Sequence, residues 1–440
     1  MTAAAQTGLV LGLIAGLLAL MAGLGRLAKA RGWPAEVQRK IVHVAAGGLA
    51  MGLPWIFAAD WPVYLLLGLT LLAMGALRLP VLRAMGGTLH GVDRQSFGDF
   101  FLVLGVGLVF LFHDGDPVLY ILPLAVLTLA DAAAALAGSA YGRTFLKVEE
   151  GRKSLEGSAV FFGVTLVVAL LCLLFLSETP PGAIIVLAAA IAGFATVVEA
   201  DSWQGFDNLF LPMGVQIFLI ATLGLDNWDI VLRMAFLAAG LTGVAVLARL
   251  VGMSAQVARV YGLAMFLLLS VTSLQNAVLP ALMLLAQALA ARGGGSEGKG
   301  LERLDVVGAL AIISFGFLAA GEVTGINALS FYALATGTAA AGHIGLALAA
   351  RPIWMRALGG GLAVLVLYAT WNLVMAQNSA AALWHPPIPT AGLMVFVAAY
   401  LACVIQPELF ARQATTRVAL LGAVPAVLIY VGLMMIEGAV

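Results

Sequence analysis

Four groups of polar residues stand inside or beside long apolar runs, and their side-chain types point to phosphate and metal chemistry. Asp131 lies within a run that begins near Val118. A carboxylate in a membrane span costs about 2.5–3.5 kcal/mol on insertion scales, so it marks a pathway, a metal or a partner. The alanines after it and the Gly138-x-x-x-Gly142 spacing gather small residues on one face, which suits either a helix packing seam or a ligand lying against the backbone. Arg152, Lys153 and Ser154 directly precede another apolar run. Two cations at a helix N-terminus are unfavourable alone and become sensible when an anion such as a nucleotide phosphate joins them. Ser154 would then act as N-cap or phosphate donor. Glu156 falls one position short of a capping box, which would need the acid at 157.

The third group, Glu199 to Asn208, reads Glu-Ala-Asp-Ser-Trp-Gln-Gly-Phe-Asp-Asn. Glu199, Asp201 and Asp207 are carboxylates of the kind Mg²⁺ uses one or two at a time, the rest of its shell coming from water and phosphate. The fourth, Arg39-Lys40-Ile-Val-His43, again puts cations at the start of an apolar run, with Arg39 and His43 on one face at i, i+4. Each group also has a plainer use: an ion-paired packing seam, a topology signal with an N-cap, or a solvated acidic loop.

Membrane helices must position these groups. Of 440 residues 62% are apolar and 10% charged, against about 25% charged in soluble domains. The apolar runs are continuous rather than alternating, which excludes a membrane β-barrel and predicts an all-α polytopic bundle. Spans are expected at roughly 8–28, 41–58, 61–77, 97–113, 118–140, 158–177, 182–199, 208–225 and 229–249, then 305–321, 327–350, 357–377, 390–407 and 418–437. The run 257–291 reads as a hairpin broken near Asn276 or Pro280, giving about 14–16 membrane segments. Arg26, Lys29, Arg31, Arg39 and Lys40 fill the first loop, Arg78, Arg83 and Arg94 the third, and Arg143, Lys147, Arg152 and Lys153 the fifth, while the loops between them have neither residue. The positive-inside rule therefore places odd-numbered loops in the cytosol and both termini outside. Asp131 and the acidic group took no part in that assignment, yet they fall on the same face. The expected location is a bacterial inner membrane, with the site facing the cytoplasm. The Gly-rich stretch 292–300 reads as a flexible linker. A change in span composition near residue 226 suggests two domains, 1–225 and 226–440, with every polar group of chemical interest in the first.

The zero net charge says nothing about nucleic acid or acidic partners, but neither end carries a lysine-rich tail or basic amphipathic arm, and nucleic-acid binding is not expected. Cys172 and Cys403 sit in apolar runs as small hydrophobes. Lys153-Ser154 follows Arg152 rather than the glycine of a Walker A loop, and no protein-kinase signature set is present. His113, beside Asp114 and Asp116, reads as part of a solvated turn, and Glu322, Asn327, His343 and Asn372 as satisfied interhelical hydrogen-bond partners.

Taken together, Arg39-Lys40-Ile-Val-His43, Asp131 through Gly142, Lys153-Ser-Leu-Glu-Gly157-Ser158 and Asp207-Asn208-Leu-Phe-Leu-Pro212 resemble the dolichol kinase and phytol kinase family in order and spacing. The resemblance covers roughly residues 36–215. It implies a membrane-embedded, CTP-dependent kinase of isoprenoid alcohols, related to cytidylyltransferases that make CDP-lipids. By motif, Asp131 with Gly138 and Gly142 belongs to the nucleotide and metal site, and Arg152, Lys153, Ser154, Glu156 and Gly157 to a second nucleotide element. Arg39, Lys40 and His43 are further phosphate contacts, while Glu199, Asp207 and Asn208 join Asp131 as candidate Mg²⁺ ligands. Phosphoryl transfer from CTP to phytol or a polyprenol is the expected reaction, with Asp131 and Lys153 as the catalytic pair. A cytidylyltransferase, or a transporter or lipid-binding protein without catalysis, are the alternatives. Residues 226–440 have no counterpart in this resemblance.

Overall fold

The computed structural model describes residues 2–77, 97–149, 151–250, 252–291, 299–378, 388–410 and 414–437. Arg78, Arg83 and Arg94, the linker residues 292–298, and Arg412 lie outside them. The chain divides into two compact units, Met1–Phe236 and Leu237–Val440. The division falls inside a helix, beyond the composition change near 226.

Unit 1 consists of α1 (Ala3–Arg31), α2 (Ala35–Ile56), α3 (Trp61–Leu77), α4 (Gly98–Leu111), α5 (Pro117–Ala125), a π-helical turn (Val126–Ala130) and α6 (Asp131–Tyr141). It continues through strands β1 (Phe145–Leu146) and β2 (Lys153–Ser154), then α7 (Leu155–Leu176), α8 (Pro181–Asp201), α9 (Asp207–Thr222) and the first part of α10 (Asn227–Leu250). Local signals set several boundaries. Gly32, at φ 65°, closes α1 in the left-handed conformation that glycine adopts without strain. Asp116 caps α5 by accepting from the Val118 N–H at 2.9 Å, with Pro117 at the first helical position. Ser154 caps α7, accepting from the Gly157 N–H at 3.1 Å.

Buried polar ties hold unit 1 together. Tyr120 donates to the Ala50 carbonyl at 2.7 Å, tying α5 to α2. Gln216 on α9 donates to the carbonyls of Val109 (2.9 Å) and Leu119 (3.2 Å). These satisfy carbonyl oxygens that lipid could not.

Unit 2 contains α11 (Ala255–Val271), a 3₁₀ turn (Leu274–Ala277), α12 (Val278–Ala290), α13 (Lys299–Thr324), α14 (Leu329–Leu348), a π turn (Met355–Gly359), α15 (Gly360–Gln377), α16 (Pro389–Ile405) and α17 (Ala414–Glu437). Central α14 packs on α12, α16 and α17. The expected hairpin at 257–291 breaks at Thr272 and Ser273, and helix continues through Pro280. Tyr261 on α11 donates to Gln287 on α12 at 3.2 Å, so the two helices run back past each other.

Among the described residues nine helices are long and apolar enough to cross a membrane, and six shorter apolar helices accompany them. The protein is an all-α polytopic membrane bundle. Among the described residues the one departure is the short antiparallel pairing of β1 with β2.

Candidate active site

The helix that starts at Pro117 widens into a π turn over Val126–Ala130 immediately before Asp131. Such insertions re-aim the residues that follow and free carbonyl groups from the α-helical ladder. Lys40 donates to Asp131 Oδ2 at 2.5 Å, and both side chains are buried. His43 Nε2 lies 3.6 Å from the same oxygen and 3.1 Å from the carbonyl of Leu127, within the π turn. A carbonyl only accepts, so this nitrogen carries a proton. The face of α2 that meets Asp131 is therefore that of Lys40 and His43, not the Arg39–His43 face read from spacing. Arg39 turns to Glu36 in a bidentate contact of 2.7 and 3.1 Å, with both side chains well exposed.

The β1–β2 hairpin aims Lys153. Its register sets Leu146 opposite Lys153 and Phe145 opposite Ser154, and Arg152 stacks its guanidinium 3.9 Å from the Phe145 ring centre. Lys153 reaches Glu199, pairing with the carboxylate and donating to the Glu199 carbonyl at 3.0 Å. Burial works against charge on this amine. The carboxylates of Glu199, Asp207 and Asp131 outweigh it and hold Lys153 above the ordinary lysine range.

Between α8 and α9 the chain turns through Gln204 and Gly205, both at positive φ (47° and 84°). Ser202 donates to the Glu199 carbonyl at 2.8 Å, and Asn208 donates to Gly205 at 3.3 Å. This turn brings Glu199, at the end of α8, together with Asp207 and Asn208, which open α9.

All these side chains border one cavity of about 1550 Å³. Its lining includes Arg39, Lys40, His43, Asp131, Gly138, Gly142, Arg152, Lys153, Ser154, Gly157, Glu199, Asp207 and Asn208. Of the candidate site residues singled out in the sequence, Asp201 and Glu156 stand apart: Asp201 is buried at the end of α8 away from the lining. Glu156 accepts from the Thr144 N–H at 3.1 and 3.3 Å, clasping the hairpin from outside the cavity. The glycines also serve packing. A Cβ on Gly138 would stand 3.0 Å from Ser154 Oγ, and one on Gly157 3.1 Å from the Ala134 carbonyl, so α6 and α7 meet at backbone distance. Glu36 and Asp99, unmarked by sequence reasoning, line the cavity too, as do Ser158 and Ser202, which stood within the quoted motifs without a role of their own. Asp99 and Glu36 look like ordinary first-turn acids. Ser158 was findable, because it shares a helical face with Ser154 and Gly157.

The donor set fits Mg²⁺. Glu199 Oε2 and Asn208 Oδ1 are buried without a hydrogen-bond partner, an expensive state for an oxygen that nothing engages. Among the described residues no three His, Cys, Asp or Glu side chains gather as a ready cage. Mg²⁺ does not require one, since phosphates and water complete its shell.

No protein-family model matches the chain, and no solved structure matches it. It is 36% identical over 203 residues to the phytol kinase of Synechocystis sp., an alignment that takes in 44% of this chain and 82% of the relative. With that share of the relative covered, the chain belongs to the phytol kinase family.

Proposed function

We propose that unit 1 transfers the γ-phosphoryl group of CTP to the hydroxyl of an isoprenoid alcohol such as phytol, at the cytoplasmic face of a bacterial inner membrane. One observation carries this most: two lysine–carboxylate pairs, the buried Lys40–Asp131 and the partly buried Lys153–Glu199, meet at the polar end of a cavity whose other end is apolar. Phosphoryl transfer needs positioning and charge neutralisation more than covalent help. This arrangement supplies both.

Lys153 and Arg152 would hold the phosphates, with the Ser154 cap and the start of α7 beside them. Glu199, Asp207 and Asn208 would hold Mg²⁺, which supplies charge neutralisation along the triphosphate. Lys153 would leave Glu199 for a phosphate, and the Glu199 carboxylate would thereby be freed for the cation. A buried charge stripped of its partner is costly, so the two exchanges favour each other. Asp131 would accept the hydroxyl proton as the alcohol oxygen attacks the γ-phosphorus. The bond from that phosphorus to the β–γ bridging oxygen breaks, and CDP departs with the electron pair. His43, protonated at Nε2, and Lys40 orient the Asp131 carboxylate. CTP rests on the family resemblance of the four motifs, and the cytoplasmic orientation on the positive-inside rule.

The test is purified protein in detergent with CTP, Mg²⁺ and phytol, followed by mass spectrometry. Phytyl phosphate and CDP are expected. Pyrophosphate would indicate a cytidylyltransferase, and no turnover of any nucleotide by folded protein would indicate a non-catalytic role.

A further inference from the structure

Resting on the kinase reading of unit 1, we infer that the apolar end of the cavity is the site for the acceptor's hydrocarbon tail, and that Leu53 and Leu66 form its floor and set the chain length accepted. The lining of α2 follows one helical stripe, from Lys40 and His43 through Ala46 and Ala50 to Leu53. Along that stripe polarity falls from charged to wholly apolar. At about 1.5 Å per residue it runs roughly 20 Å, some two-thirds of the ~30 Å hydrocarbon thickness of a bilayer. A hydroxyl beside Asp131 thus leaves its tail lying along α2, as a lipid chain lies in its leaflet.

The facing walls have the same character. α3 contributes Leu66, Leu67 and Thr70, whose hydroxyl is turned back to the Leu66 carbonyl at 2.7 Å, and α4 contributes Leu102, Val103 and Val106. Leu53 (2% exposed) and Leu66 (4%) are the most enclosed leucines of this lining and close the end remote from Asp131.

The fourth wall is α1, which is fastened differently. Its buried residues are Gln6, Val10 and Ala28, near its two ends. Between Leu11 and Leu27 no residue is buried, yet Ile14, Leu17 and Met21 border the cavity. Among the described residues, one loosely fastened helix therefore separates this side of the cavity from lipid. A water-insoluble alcohol reaches the site sideways past α1, without crossing the aqueous phase.

The experiment measures kcat/KM of the full chain for prenols of increasing length, using CTP and Mg²⁺, in wild type, Leu53→Ala, Leu66→Ala and Ala50→Phe. A photoactivatable C20 prenol with its reactive group at the tail terminus is crosslinked to wild type in parallel. The leucine truncations are expected to move the preferred length upward, changing the long-to-short kcat/KM ratio about tenfold or more, the range one or two methylenes command in an apolar pocket. Ala50→Phe should move it downward while short prenols still turn over, and the label should fall on α1, α2 or α3. Turnover by wild type with an unchanged length order in all three variants would overturn the inference and leave the kinase reading standing. Failure of wild type to phosphorylate any prenol would sink the kinase reading; the crosslink then decides the tail site alone, label elsewhere overturning it.

Discussion

The two units solve the same solvent problem with different interiors. Unit 1 buries Lys40, Asp131, Glu199 and Asp201 and opens a cavity of about 1550 Å³. In unit 2 the buried polar residues among those described are neutral except Arg303, which donates to the Gly252 carbonyl at 2.9 Å, and the cavity beside Ser330 and Trp371 holds only about 10 Å³. That is room for a single water at most. Unit 2 is held instead by close approach. A Cβ on Gly345 would stand 2.7 Å from the Tyr400 carbonyl, and one on Gly392 2.6 Å from the Trp371 ring. Its polar ties are neutral amides: Asn276 and Asn378 exchange hydrogen bonds of 3.2 and 2.6 Å. A membrane helix bundle can thus rest on close packing and neutral polar ties, whereas unit 1 gathers charged side chains around its cavity.

Five sets of variants would break or sharpen that contrast. The largest effect is expected in unit 1, where Asp131→Ala and Lys153→Ala should each lower kcat by about 10²–10⁴-fold, the range for loss of a positioned proton acceptor or phosphate ligand. Lys40→Ala strands a buried carboxylate and should destabilise unit 1 by about 3–5 kcal/mol. Unfolding in denaturing detergent would show it, and an unaltered transition would mean the pair is dispensable. In unit 2, Gly345→Val should cost about 1–3 kcal/mol through overpacking while the folded fraction keeps its kcat. A large fall in kcat without unfolding would give unit 2 a part in the chemistry.

Smaller effects test the electrostatics. Glu199→Gln should raise the Mg²⁺ needed for half-maximal rate about tenfold, or 1.4 kcal/mol. It should also shift the alkaline limb of the pH profile. Glu199 helps hold the Lys153 amine above its ordinary range, so the contribution of that charge persists below the unfolded value and is lost as pH rises through the raised one. Without Glu199 the limb moves to lower pH. Glu156→Gln should have the least effect, a few-fold at most, because its carboxylate clasps the Thr144 N–H outside the cavity.

Much was legible in the chain because polar residues are conspicuous in an apolar one. Asp131 stood out by its cost in a membrane, Lys153 as a cation at a helix N-terminus and the Glu199–Asn208 stretch by its carboxylates; Asp131, Lys153, Glu199, Asp207 and Asn208 border one cavity. Unit 2 shows where that logic stops. Asn327 bonds locally just before α14, accepting from Leu329 N–H at 2.9 Å, and Asn372 donates within its helix to Tyr368 at 2.8 Å. Glu322 is exposed, and His343 Nε2 is buried without a partner, so none of the four makes the expected bond to another helix. The bonds between elements fall elsewhere, on pairs such as Asn276 with Asn378 and Tyr261 with Gln287, which spacing could not connect.

Composition and patterning by themselves determined the solvent, the helical class and the list of polar residues that lipid would penalise, because each follows from transfer free energies that act residue by residue. The tertiary structure alone decided the partners. Lys40 meets Asp131 across 91 positions and Lys153 meets Glu199 across 46. Those meetings depend on how each helix is rotated, on the π turn before Asp131 and on the register of one short hairpin, and a rotation is a property of packed neighbours rather than of any local stretch of sequence.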